Sequence, residues 1–320
     1  MQAGSRAELM LPLVLLTAAA AAPPVGGQLL RRDEFVARTL AQVQAGPSIG
    51  SFDMRPAPNT TIYYVSASSG DDATGKGYSA KDPVVGSDPF HPAGAPATFK
   101  TITAAIAAST QFQPDWVLLK RGDTWEDGKG ETFPITLKTG ASTLAPMLLA
   151  AYGGDGCTRP RLLTGTNGGI NQCCHGFSYF AVSDLEIYSH LRDPAVVGVD
   201  KLTVTKAGSG ISFDGPGPQP QVPPNPEPPA VLCRDAPGQK CGLYSGVLIQ
   251  NCWIRFHATN IVFTGDGYYA DVVIRNNLVT DAYDSGGAHS QGMFGDHLVG
   301  LQLTNNTCGP FAYCAPLWLS

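Results

Sequence analysis

The sequence predicts an all-β chain wound as a parallel solenoid, and three observations carry that prediction. Four stretches align without gaps: "FAVSDLEI" (180–187), "VLIQNCWI" (247–254), "VVIRNNLV" (272–279) and "LQLTNNTC" (301–308), with "LTVTKAGS" (202–209) as a weaker fifth. Their first and third positions are apolar in every copy, the alternation of a strand with one buried face. A second motif follows three of them, "GISFDG" (210–215), "NIVFTG" (260–265) and "QGMFGD" (291–296), each centred on a phenylalanine: Phe213, Phe263 and Phe294. Consecutive clear copies of the first motif start 25 and then 29 residues apart. A unit of that size cannot bury its own apolar face, so equivalent strands of successive units must stack.

Stacking orients the side chains. Positions one and three point inward, so Ile249, Ile274 and Leu303 are expected to share one dry column. Position five is Asp184, Asn251, Asn276 and Asn305. It is expected inside as well, where amides can bond the rung above and below. Positions two and four face out. Position four then forms a polar row: Ser183, Thr205, Gln250, Arg275 and Thr304.

The elements before the repeats fit the same picture. Arg6 precedes an apolar run from Leu9 to Ala22, followed by small residues and prolines, so residues 1–27 are expected to be a secretory signal. The run is too short to span a bilayer comfortably; a buried hydrophobic helix is the rival reading. Residues 28–60 read as a short amphipathic helix, Leu29 to Val43, and a linker. Residues 61–320 form the solenoid domain. "TIYYVSASSGDD" opens it as a strand and turn. "TFKTITAAIAAS" is a helix with Phe99, Ile102 and Ile106 on one face and Thr98 as its cap. "DWVLLKRGDTW" and "APMLLAAYGGDGCTRPRLL" are further strands with polar or Gly-rich turns. The stretch 215–230 carries eight prolines, cannot join a ladder, and is expected to loop out. Tyr268 and Tyr269 read as a turn between coils.

Composition narrows the partners. A formal net charge of -5 with only 15% charged residues argues against nucleic acid. Beyond the signal, no segment is apolar enough to span a membrane. Eight cysteines fit an oxidising compartment, and Cys233/Cys241 and Cys308/Cys314 are the candidate local disulfides. Asn59-Thr60-Thr61 and Asn305-Asn306-Thr307 are glycosylation sequons. A monomeric extracellular protein is expected.

The first half, "YYVSASSGDD…TFKTITAAIAAS…PDWVLLKRGDTW…LLAAYGGDGCTRPRLL", resembles the opening of secreted right-handed parallel β-helix proteins of the pectate-lyase-like superfamily. The resemblance covers roughly residues 62–308. It implies a right-handed β-helix whose N-terminal helix caps the open end. It leaves activity open, since lyases, hydrolases, epimerases and silent proteins share the fold. The Asp-Asp and Gly-His-Gly combination of polygalacturonase-like hydrolases is missing from the solenoid. So are the Asp-Pro-His-Asp of alginate-epimerase-like proteins and the dense calcium-site aspartates of pectate lyases. The chain stops at Ser320 just after a coil, as a truncated product would.

The polar row is a natural track for an acidic polysaccharide, with Gln250, Arg275, Thr304 and Tyr283 as substrate-binding candidates. The loop after Arg275 holds Asp281, Asp284 and His289. In a lyase a base removes the proton beside a uronate carboxylate while a cation steadies the anion. His289 is the expected base, Arg275 the charge clamp, and Asp281 with Asp284 the candidate pair for Ca²⁺. A glycoside hydrolase using two of the aspartates, and a glycan-binding surface protein without activity, are the alternatives.

Overall fold

The computed structural model describes residues 52, 54–154, 157–173, 178–198, 208–215, 230–232, 240–265, 268–284, 290–296, 298–299, 301–309 and 313–314. The expected signal and first helix, and nearly all of the proline-rich insertion, lie outside them. In chain order come β1 (Thr61–Val65), β2 (Gly77–Ser79), helix α1 (Ile102–Ala108), β3 (Trp116–Lys120), β4 (Thr124–Glu126), β5 (Met147–Tyr152), β6 (Arg161–Leu163), β7 (Ile170–Cys173), β8 (Phe180–Ser183) and β9 (Glu186–Tyr188). Helix α2 (Pro194–Val197) follows, then β10 (Ile211–Gly215), β11 (Ala230–Leu232), β12 (Lys240–Gln250), β13 (Trp253–Arg255), β14 (Thr259–Gly265) and β15 (Tyr268–Arg275). The last are β16 (Leu278–Thr280), β17 (Gln291–Gly295), β18 (Leu298–Val299), β19 (Gln302–Thr304), β20 (Thr307–Cys308) and β21 (Tyr313–Cys314).

These strands form three parallel sheets that the chain visits in turn. The first runs β1-β3-β5-β8-β12-β15, with β18 and β19 beside β15 and the antiparallel β2 at its other end. The second runs β4-β6-β9-β13-β16-β20, and the third β7-β10-β14-β17-β21. A chain that returns to the same place in each of three sheets is a parallel β-helix. The alternation explains it: every second residue of each strand is inward, and only stacking buries it.

The interior columns are continuous. In the first sheet Tyr63, Val117, Leu149, Val182, Ile249, Ile274 and Leu303 stand in register. All but the last are buried. Leu303 lies on β19, beyond which no described strand pairs, and is 47% exposed. The second sheet contributes Trp125, Leu162, Ile187, Ile254, Val279 and Cys308. A fully buried aliphatic side chain in such a column contributes about 1.5–3 kcal/mol.

Two registers differ from the sequence reading. The third sheet pairs Phe213 with Phe263, whose rings stack at 4.2 Å, but sets Val262 opposite Phe294 and Ile261 opposite Met293. Met293 is 3% exposed and extends the Ile170, Ile211 and Ile261 column, so Phe294 is displaced by one place; a one-residue slip exchanges the two faces of a strand. Position five of the first motif is a corner and not part of the interior columns, although Asn305 Nδ2 donates to Asn276 Oδ1 at 3.0 Å, the rung-to-rung amide bond expected there. Asp184, Asn251, Asn276 and Asn305 all have positive φ, from 52° to 62°. They are the corner between the first and second sheets, in the left-handed conformation that Asn and Asp tolerate best. The inward amides come one residue later. Asn277 Nδ2 donates to Ile249 O at 2.9 Å, and Asn306 Nδ2 to Ile274 O at 2.7 Å. Asn277 Oδ1 accepts from Cys252 N.

Helix α1 packs Ile102, Ala105 and Ile106 into the interior beside β1 and β3, where the described coils begin. Its cap is Thr101, whose side chain accepts from Ala104 N, and not Thr98. Asp72 holds Thr101 and Lys100 from outside, and the buried Glu131 accepts from Ile102 N at 2.6 Å. Carboxylates at a helix N-terminus answer its orphan N–H groups. Tyr268 and Tyr269 lie within β15 and not in a turn, and Tyr269 is fully buried. Cys157 and Cys252 are free thiols; burial pushes the Cys252 thiol up to about 12. Of the expected disulfides, Cys233/Cys241 lies outside the described side chains. Cys308 is disulfide-bonded, its partner outside them.

Candidate functional site

The outer face of the first sheet changes character along the stack. Its first three rungs present Ile62, Tyr64, Trp116, Leu118, Leu148 and Ala150, all buried. β2 and the segment after it roof them. Tyr78 and Val85 join their cluster, the Tyr64 hydroxyl donates to Pro89 O at 2.9 Å, and Phe90 stacks on Trp116 at 5.5 Å. From β8 onward the fourth position turns polar, and Ser183, Gln250, Arg275 and Thr304 stand side by side in register. Thr205 lies outside the described residues.

At this boundary a cleft of about 280 Å³ opens. Asp88, Phe90 and His91 of the roof form one wall. Arg121, Tyr152, Ser183, Asp184 and Gln250 supply the polar part of the rest. The volume is near the lower end of ligand pockets, roughly 300–1,000 Å³.

Local chemistry fixes each wall. The loop carrying Asp88 and His91 is tied at its base by Gly94 N to Val84 O at 3.0 Å. Its tip is anchored by Gly153 N to Phe90 O at 2.8 Å. Asp88 Oδ1 accepts from Phe90 N, and Oδ2 lies 2.8 Å from His91 Nδ1. Partial burial alone would raise the Asp88 pKa; the His91 ring and the Phe90 N–H outweigh it and hold it below the usual range. A carboxylate can only accept, so Nδ1 carries the hydrogen and Nε2 is the basic nitrogen of neutral His91.

The floor is a connected relay. Arg275 donates through Nε and Nη2 to Gln250 Oε1, at 2.8 and 2.6 Å. Gln250 Nε2 donates to Ser183 Oγ at 3.1 Å, and Ser183 Oγ to Asp184 Oδ2 at 2.6 Å. Arg121 Nη2 closes it at Asp184 Oδ1, 3.3 Å away. Arg275 is only 4% exposed, and burial lowers its pKa. Gln250 is half-buried and Thr304 exposed. Burial raises the Tyr152 hydroxyl well above its ordinary value, with Asp123 a smaller cause, so it stays protonated.

The residues expected from sequence therefore divide. Gln250, Arg275 and Thr304 come together, with Arg275 beneath the surface as a support for Gln250. Asp281, Asp284 and Tyr283 do not join them. They follow β16, one sheet further on, at the opposite end of that strand from Arg275. The three residues of β16 alone span roughly 10 Å, beyond the corner at Asn276. Tyr283 there bonds Arg192 O at 2.7 Å, with the Arg192 guanidinium 4.3 Å over its ring. Asp281 is buried with φ 55°. Ca²⁺ takes six to eight oxygen ligands; among the described residues no group of three or more His, Cys, Asp or Glu could hold a metal. His289 lies outside the described residues. Sequence reasoning missed Asp88, His91, Arg121 and Tyr152, which reach the cleft from separate loops and an early strand.

Architecture and cleft together define a parallel β-helix protein with a polar site on the outer face of its first sheet. No protein-family model and no curated protein sequence matches the chain. Among solved structures it is similar to the pectate lyase Pel9A, with 17% identity, a TM-score of 0.43, and coverage of 78% of this chain and 48% of that one. It is also similar to the GH136 lacto-N-biosidase from Eubacterium ramulus, with 15% identity, a TM-score of 0.42, and coverage of 74% and 40%. The chain thus spans less than half the length of either.

Proposed function

We propose that the protein is an extracellular carbohydrate-active β-helix protein that binds an acidic, uronate-containing polysaccharide in the cleft and cleaves it by β-elimination. One observation carries this: a histidine paired to an aspartate, an arginine and a protonated tyrosine line one small cleft beside a row of neutral hydrogen-bonding side chains. Arg121 pairs the uronate carboxylate and shares its charge with Asp184. His91 Nε2 takes the proton from the carbon beside that carboxylate, while Asp88 fixes the ring. The released electron pair forms a carbon–carbon double bond as the bond to the adjacent glycosidic oxygen breaks. That oxygen receives a proton from the Tyr152 hydroxyl, which solvent restores.

Hydrolysis by two carboxyls requires one to carry a proton. Asp88 is held ionised by His91, and Asp184 already accepts from Arg121 and Ser183. Elimination suits these environments better.

The test is absorbance near 235 nm during incubation with alginate, pectate and glycosaminoglycans, where an unsaturated uronate absorbs. His91→Ala and Tyr152→Phe should each lower the rate by about 10²–10⁴-fold. Arg275→Ala should weaken it through Gln250. A loss confined to His289→Ala would move the base to the Asp281–His289 loop. Retention of a polymer without new absorbance or new reducing ends would leave a glycan-binding protein.

A further inference from the structure

We propose that the cleft is a chain-end site: it takes the terminal unit of a polysaccharide and does not admit an internal segment. This rests on the carbohydrate reading above and goes beyond it by fixing which part of the polymer is recognised.

The floor of the site is built from successive rungs, so a bound chain following Thr304, Arg275, Gln250 and Ser183 travels across the strands toward the N-terminal coils. Along that path the next rungs are not open floor. Trp116, Leu118, Leu148 and Ala150 are 1% exposed or less. What covers them is continuous with the cleft wall. Phe90 stacks on Trp116, Pro89 O receives the Tyr64 hydroxyl, and Gly153 N holds Phe90 O. The roof thus touches β1, β3 and the turn after β5, the three positions a longer ligand would need to cross.

The wall is also rigid in composition. Three prolines, Pro83, Pro89 and Pro92, limit the loop's backbone, and Asp82 and Asp88 each cap their own turn, at Val84 N and Phe90 N. A loop held at base, tip and sides is a stop and not a flap. The lining agrees: it holds Phe90, His91, Tyr152 and Gly153 but no residue of β1 or β3. Asp88 and His91 sit on this stop, so the reacting bond lies next to the terminal unit.

Two measurements test it. With wild-type protein and a polymer that it cleaves, one small product should appear from the earliest times, and viscosity should fall slowly relative to the 235 nm signal. Blocking the recognised end, by reduction of one terminus or bulky derivatisation of the other, should slow cleavage about 100-fold, because the terminal unit is then misplaced. Early release of mixed lengths, with full activity on polymer blocked at both ends, overturns chain-end recognition and leaves the elimination chemistry standing. If nothing is cleaved, the same oligosaccharides are used in calorimetry. Binding that survives blocking of both ends overturns the inference alone. Absence of binding to any oligosaccharide overturns it together with the function it rests on. Phe90→Ala, outside the reacting groups, should shift products toward longer fragments; an unchanged product profile counts against the wall.

Discussion

At single residues, the fold is held by groups whose roles the composition hides. Asn251 looked like one amide of a ladder. Its φ of 52° makes it a corner. Asn recurs both where backbone must enter the left-handed region and where an amide must bridge strands; Asn276 does both, its Oδ1 accepting from Asn305 Nδ2 at 3.0 Å, and Asn277 beside it bridges inside. His257 is a second hidden case. It is fully buried, 3.1 Å from Thr164 Oγ1, and burial, helped by the Arg192 charge, pushes its pKa down to about 3. Its folded-state pKa lies below that of the unfolded chain, about 6.5, so the unfolded state binds the proton first. Stability from the neutral ring is fully present above that value and is lost as the pH falls toward 3. Denaturant unfolding at pH 5 should show roughly 2 kcal/mol less stability from this group than at pH 7. His257→Gln should remove that part of the pH dependence, and an unchanged slope would show that another group carries it.

At the scale of elements, stacking was legible and the partner faces were only partly so. The register of β8, β12, β15 and β19 follows the alignment of the four repeats residue for residue, because their inward positions are all apolar. In β17 the phenylalanine drew the eye, but Met293 continues the Ile261 column and Gly295 stands opposite Phe263, in the place that ring stacking had suggested for Phe294. Between β12, β15 and β19 the corner amides do more than close a turn. The Asn277 side chain bonds Cys252 N, Ile249 O and Asn306 Oδ1, joining three rungs. Asn277→Ala leaves buried backbone groups unsatisfied and should cost about 2–4 kcal/mol in urea unfolding. Asn277→Asp should cost more, since a carboxylate cannot donate to Ile249 O. An Asp variant as stable as wild type would mean that these bonds are not what ties the rungs.

At the scale of the molecule, stability should depend on depth within the stack. Ile249 has rungs on both sides and is fully buried, so Ile249→Ala should cost about 2–5 kcal/mol; Leu303→Ala, at 47% exposure, should cost well under half of that. Equal losses in thermal unfolding would contradict a column that is dry in its middle. The cleft could not be read from sequence for a related reason. Asp88, His91, Arg121 and Tyr152 belong to no shared motif, and only winding brings them to Gln250, the one member that the repeats made visible; the conspicuous polar loop after β16 lies at a different corner. One feature of the winding bears on how such a protein can diversify. In the last four rungs the interior step from first to second sheet is five residues each time: Val182 to Ile187, Ile249 to Ile254, Ile274 to Val279 and Leu303 to Cys308. The earlier steps, Val117 to Trp125 and Leu149 to Leu162, take eight and thirteen residues with both columns continuous, so only these four tight bends hold the coil's bank of the site to a fixed length. The opposite bank, the tethered hairpin around Phe90, carries no such constraint. Descendants of this scaffold would therefore retune their preference for ligands by rewriting one short loop, while the bank built by the coil stays the same.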